Sequence, residues 1–296
     1  MDKKNLYLFL LILGTAFWGV SFTFVKVGVG EGSPFAFLFF KFFVATLCLI
    51  AIFFNQLKYI TKKTFRISIL IGTPLLIGTI LQTIGLKYTT VSNAAFITGL
   101  DVILIPVLKL FIYKKKVLRK VWFACALALT GLYIIVVKDD LTLNVGDFWI
   151  LACALAFALY VLQVGKYSNE ERPMPSVILL MLFCTVGCFV FALFDTNTVW
   201  LPDTNGFWTA VLFAALPATA YMYAIQNAGQ RYLGEEKIAL TYLFEPVFAT
   251  VAGIVILKEA LSTEIIIGGI FIISAMIISE VNFKKLRSRM FSQRTL

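Results

Sequence analysis

Apolar stretches of about twenty residues follow one another along nearly the whole of this 296-residue chain, with short polar connections between them. The stretches are continuous rather than alternating. They therefore predict helices and not the strands of a membrane barrel, whose residues face lipid and lumen in turn. A helix needs about 20 predominantly apolar residues to cross the hydrocarbon core, and inside it satisfies its own backbone hydrogen bonds. The pattern predicts helices over 6–28, 34–54, 66–86, 92–113, 120–138, 147–166, 175–194, 206–228, 236–257 and 263–281. The first stretch, from Leu6 to Val25, is longer than the apolar core of a secretory signal and lacks a small-residue cleavage site, so it reads as the first spanning helix.

Composition strengthens that picture and removes alternatives. The chain is 60% hydrophobic and only 14% charged, against about 25% charged in a soluble domain, which needs polar side chains for its surface. Twenty of the 26 Lys and Arg residues fall on one side of the predicted spans, at the N-terminus, in alternate connections and in the tail. By the positive-inside rule that side is cytoplasmic, and both termini lie there, which requires an even number of spans. The net charge of +10 then reports orientation beside anionic lipid rather than nucleic-acid binding. Histidine is absent and no G-x-x-x-x-G-K-[ST] loop occurs. Histidine-dependent intramembrane hydrolysis and phosphate-loop nucleotide hydrolysis are thereby excluded. Cys48, Cys125, Cys153, Cys184 and Cys188 all lie in apolar runs and read as small buried hydrophobes. No metal or cofactor is expected.

The chain also repeats itself. Residues 81–88 and 225–232 align so that Gln82 meets Gln226, Gly85 meets Gly229, Lys87 meets Arg231 and Tyr88 meets Tyr232. Pro74 and Pro217 fall in helices three and eight, and Pro106 and Pro246 in helices four and nine. Five helices per half is an odd number, so the halves insert with opposite orientation. Inverted repeats with interrupted helices around a midplane site are a recurring transporter design. Each proline removes a backbone hydrogen bond, and paired kinks at these four positions suit a gated cavity between the halves.

The stretch Ala239-Leu240-Thr241-Tyr242-Leu243-Phe244-Glu245-Pro246-Val247-Phe248-Ala249, then Leu257-Lys258-Glu259-Ala260-Leu261 and Ile267-Gly268-Gly269-Ile270, resembles the second half of the drug/metabolite transporter superfamily, EamA type. Ser92-Asn93-Ala94-Ala95-Phe96, Pro106-Val107 and Gly131-Leu132 resemble a more diverged first half. The resemblance covers nearly the whole chain. It implies ten helices, an inverted repeat, a central cavity and alternating-access transport of small organic solutes. Helix two of such proteins often carries Arg where this chain has Lys41, which keeps the charge but loses bidentate recognition of a carboxylate. Nor does the first half hold a Glu matching Glu259; Lys116 stands nearby.

Ionisable groups inside a bilayer are costly and are functional candidates by default. Lys41, Asp101 and Glu245 qualify, the two acids lying mid-helix in helices four and nine. In one reading Lys41 attracts a substrate carboxylate, while Asp101 or Glu245 binds an amine or carries a proton. In the other, Lys41 and Asp101 form a structural ion pair and Glu245 caps backbone freed by Pro246. Lys109 reads as a snorkelling residue near the cytoplasmic end, and Glu170–Glu171 and Glu235–Glu236 as solvated charges. Trp18, Tyr160, Gln163, Tyr223 and Asn227 join the substrate-binding candidates because polar and aromatic residues recur at helical spacing, as Thr15, Trp18 and Ser21, as Thr79, Gln82 and Thr83, as Tyr160 and Gln163, as Thr219, Tyr223, Gln226 and Asn227, and as Thr241, Tyr242 and Glu245. For Gln82 and Gln226, near helix ends, holding the repeat together is the alternative role.

The sequence thus predicts an all-α integral membrane protein of ten transmembrane helices, arranged as two inverted five-helix repeats over 1–140 and 141–283 with a basic cytoplasmic tail over 284–296. The function it predicts is secondary transport of a small organic solute, an amino acid or related metabolite, in a bacterial inner membrane. The partners are the lipid bilayer and the solute, with the chain a monomer or homodimer that binds no nucleic acid. A membrane-embedded enzyme or lipid-handling protein, and a non-transporting structural or channel subunit, are the alternatives.

Overall fold

The fold was analysed in a computed structural model that describes residues 2–31, 33–89, 94, 97–136, 145–196, 198–245, 247–248 and 263–280. Pro246, the 257–261 segment and the 284–296 tail lie outside these residues. The helices are α1 (Lys3–Glu31), α2 (Pro34–Phe53), α3 (Lys62–Tyr88), α4 (Asp101–Ile112) and α5 (Arg119–Val136). They continue with α6 (Val145–Tyr167), α7 (Pro173–Phe194), α8 (Asn205–Gly229), α9 (Glu235–Tyr242) and α10 (Thr263–Glu280). There are no strands among the described residues. Among the described residues six helices, α1, α2 with its following turn, α3, α6, α7 and α8, are long and apolar enough to cross a membrane.

Local chemistry sets the ends. Pro34 occupies the first turn of α2, where its missing N–H costs nothing, and the Ser33 side chain accepts from the Ala36 amide. At α3, Thr61 and Thr64 form a reciprocal capping box. Helix α3 runs unbroken across Pro74, whereas its mate Pro217 opens a π turn over Leu216–Tyr221 inside α8. Such turns arise where the regular backbone ladder is interrupted, as a proline interrupts it.

Side chains are distributed as lipid demands. Phe111 and Phe194 are 74% and 82% exposed on the outer surface, while Thr79, Thr219, Gln226 and Thr241 are buried. The buried threonines Thr46, Thr79, Thr83 and Thr185 each donate to the carbonyl one turn back in their own helix, which satisfies them without water. Thr46 and Thr185 also meet each other, hydroxyl to hydroxyl at 3.2 Å, and so link α2 to α7. Elsewhere α3 lies along α6 and α1 along α8, while α5 pairs with α10 and α4 touches α6 and α9. Small residues permit the closest approaches: a Cβ on Gly131 of α5 would stand 2.6 Å from the Gly268 carbonyl oxygen of α10.

Polar contacts collect at one end of the bundle, called here the basic face. Lys63 pairs with Glu170 at 3.1 Å, and Thr64 donates to Glu171. Arg231 donates to the backbone oxygens of Ser168 and Glu171, and the rings of Tyr7 and Tyr232 stack at 5.2 Å. Lys109, read from the sequence as snorkelling, instead sits 2.8 Å from both Glu235 and Glu236. Those two glutamates are therefore not free solvated charges. They neutralise a lysine from another helix at side-chain exposures of only 15–18%. At the opposite face Thr89, at the end of α3, donates to Asp147 in the first turn of α6.

Candidate functional site

The helices line a cavity that reaches from the middle of the bundle toward the face opposite the basic one. Helix α1 contributes Trp18, Ser21, Phe22 and Val25; α2 contributes Lys41; and α3 contributes Thr79, Gln82 and Leu86. Asp101 and the preceding Thr98 and Gly99 face it from α4, Phe157 and Tyr160 from α6, and Ala218 and Tyr223 from α8. Tyr242, Leu243 and Glu245 close the wall from α9 and its continuation.

Six of the residues predicted to bind substrate thus meet in one place: Trp18, Lys41, Asp101, Tyr160, Tyr223 and Glu245. Gln163 and Asn227 are not among the lining residues. Asn227 stands behind the wall, where its amide nitrogen donates to the Tyr160 hydroxyl at 3.0 Å and to the Tyr223 carbonyl at 2.9 Å. The Tyr160 hydroxyl donates onward to Gln226, which reaches Gln230 and through it the Val161 carbonyl. This connected network fixes the Tyr160 hydroxyl from outside the cavity. Replacing Asn227 with alanine is expected to cost about 1–2 kcal/mol by leaving the buried Tyr160 hydroxyl under-paired, read as a fall in melting temperature of the purified protein.

Both acids stand beside a break in their helix rather than in mid-helix as the sequence suggests. A turn at Gly99–Leu100 precedes Asp101, so Asp101 lies in the first turn of the regular helix. At this turn the backbone bonds shorten to three-residue steps, from the Val102 amide to the Gly99 carbonyl and from the Ile103 amide to the Leu100 carbonyl. Regular α9 ends at Tyr242 with a turn at Leu243, just before Glu245. The two sites correspond by position. Asp101 and Glu245 are 144 residues apart, as are Gln82 and Gln226, Thr79 and Tyr223, Thr98 and Tyr242, and Gly99 and Leu243.

The charges are not consumed by each other. Lys41 forms no ion pair among the described residues, so the structural Lys41–Asp101 pair is not present. Asp101 is 4% exposed, and its Oδ1 has no hydrogen-bond partner. Trp18 anchors the aromatic wall: its indole N–H donates to the Ala218 carbonyl at 2.6 Å, within the π turn. Its ring lies 5.0 Å from Tyr242 and 5.8 Å from Tyr223, edge to face. Gln82 also lines the cavity, on the face it shares with Thr79 at a spacing of three.

The family model of the EamA-like transporter family matches the chain twice, over residues 5–137 and 144–280. An uncharacterized transporter of Archaeoglobus fulgidus is 31% identical over 281 residues, covering 93% of this chain and 86% of the relative. The uncharacterized transporter YyaM of Bacillus subtilis is 26% identical over 286 residues, covering 91% of this chain and 92% of the relative. A solved crystal structure superposes with a TM-score of 0.78 over 97% of this chain and 99% of that one, at 15% identity, and so shares the fold.

Proposed function

The chain belongs to the EamA-like transporter family, and from that premise we propose that it exports a small organic solute, an amino acid or related metabolite, by alternating access around the central cavity. The carrying observation is that one cavity brings together an unpaired lysine and two acids at helix breaks. Interrupted helices at the centre of a bundle expose backbone and charge to a solute while the rest of each helix stays shielded. Lys41 takes the solute's carboxylate, Asp101 or Glu245 its amine, and the Trp18, Tyr160 and Tyr223 rings its apolar part. Either acid is also placed to carry a proton when the solute is absent, which balances Lys41 against the remaining carboxylate.

Two inverted repeats of five helices, ten spans in all, supply the moving parts in this reading. The two successive family matches support it, as do the cavity positions 144 residues apart and the way α1 lies on α8 as α3 lies on α6. The concentration of lysine and arginine puts the basic face in the cytoplasm, with both termini. The cavity then faces outward, with its cytoplasmic side shut by Lys109, Glu235 and Glu236.

The test is uptake and counterflow in proteoliposomes across amino acids, amines and related metabolites. At least one solute should move with saturation, and Lys41→Ala should abolish its movement with the protein still folded. A panel in which nothing moves overturns the proposal.

A further inference from the structure

The cavity holds one lysine and two carboxyl groups, Lys41 against Asp101 and Glu245. We propose that the solute carried is a diamino monocarboxylic acid, an α-amino acid whose side chain ends in a second amine; this rests on the transport reading above. An unpaired charge in a water-poor site costs several kcal/mol, so a well-matched ligand supplies a partner for each charge. A neutral amino acid pairs Lys41 and one carboxylate and leaves the other carboxylate alone. A simple diamine pairs both carboxylates, leaves Lys41 alone and meets its repulsion. An amino acid with a second amine pairs all three.

Three features of the wall favour this match. Asp101 is nearly fully buried, and its free Oδ1 is a ready acceptor for an ammonium. Asp101 and Glu245 come from two different helices, each beside its own break. Two amines at opposite ends of one molecule therefore have two separate acceptors. In the same wall Trp18 stands edge to face with both Tyr223 and Tyr242. Methylene groups gain contact on such a surface, and an ammonium is drawn to its ring faces.

Lysine, norleucine and cadaverine form a matched test set: norleucine replaces the side-chain amine with a methyl group, and cadaverine lacks the carboxylate. Binding is read by thermal stabilisation of the purified protein and transport by counterflow in proteoliposomes. The expected result is that lysine binds roughly ten-fold or more tightly than either analogue, the effect of one net ion pair. Glu245→Gln and Asp101→Asn should each shrink the lysine-to-norleucine ratio toward one. Lys41→Gln should shrink the lysine-to-cadaverine ratio instead. Glu245→Asp, which keeps the charge, should retain the lysine preference and separates recognition from misfolding. If norleucine or another neutral solute binds and moves as well as lysine, the charge match is wrong and transport stands. If no solute moves at all, the transport reading itself falls.

Discussion

Gly146→Val is expected to cost about 3 kcal/mol of stability or more, since overpacking of a rigid contact costs 1–3 kcal/mol and rises when nothing can yield. A Cβ at Gly146 would stand 2.8 Å from three backbone atoms: the Gly85 carbonyl oxygen, the Tyr88 carbonyl carbon and the Thr89 amide nitrogen. None of these is the tip of a side chain that could turn away. The contact also joins the end of α3 to the start of α6, where Thr89 donates to Asp147 at 2.5 Å. Valine would push both helices apart and break that hydrogen bond. The measurement is the melting temperature in detergent, together with the yield of monodisperse protein. Gly30→Ala is the control. Its Cβ meets nothing within 4 Å, so it should be neutral or stabilise by up to about 1 kcal/mol through helix propensity.

Lys109→Ala is expected to loosen the basic face, because it leaves Glu235 and Glu236 adjacent, both negative and largely shielded from water. The lysine contacts both at 2.8 Å. Losing one partner of a shielded charge group costs about 2 kcal/mol at this level of partial exposure. The effect should be local. Amide hydrogen exchange in the first turn of α9 and the last turn of α4 should quicken by about thirty-fold, the equivalent of that energy, while the α3–α6 contact at the opposite face keeps its protection. Lys109→Arg should restore most of the protection. Uniformly faster exchange would mean general destabilisation, and unchanged exchange would mean that the ion pairs do not hold the face shut.

The helices were legible because hydropathy alone sets them: α2, with a long apolar run after Ser-Pro, begins at Pro34 as its sequence requires. Lys41, Asp101 and Glu245 were legible for the related reason that a charge in such a run is costly and so conspicuous. The breaks beside the two acids were hidden. Ile97-Thr98-Gly99-Leu100 reads as ordinary helix, with Gly99 the only hint, and whether it turns depends on neighbours that periodicity cannot see. The Lys109 pairs were hidden more deeply. Their partners are 126 and 127 residues away, and no local pattern joins them. Gln82 was legible from its spacing of three from Thr79, while its place near a helix end suited a structural role equally well. Asn227 shows the reverse case: it shares a helix face with Tyr223, yet its amide turns to the wall's rear, where Tyr160 competes for it.

The tie between Trp18 and the π turn gives the protein a built-in optical reporter. The Trp18 indole donates to Ala218 and stands edge-on to two tyrosines in the cavity wall, so its emission depends on what fills the space beside it. A solute that displaces water there, or a movement that straightens the π turn, changes the polarity around the ring and shifts its colour. The difference in spectrum between the native protein and Trp18→Phe isolates that one ring from the other four tryptophans. Titration of that difference signal follows occupancy without a label and in real time.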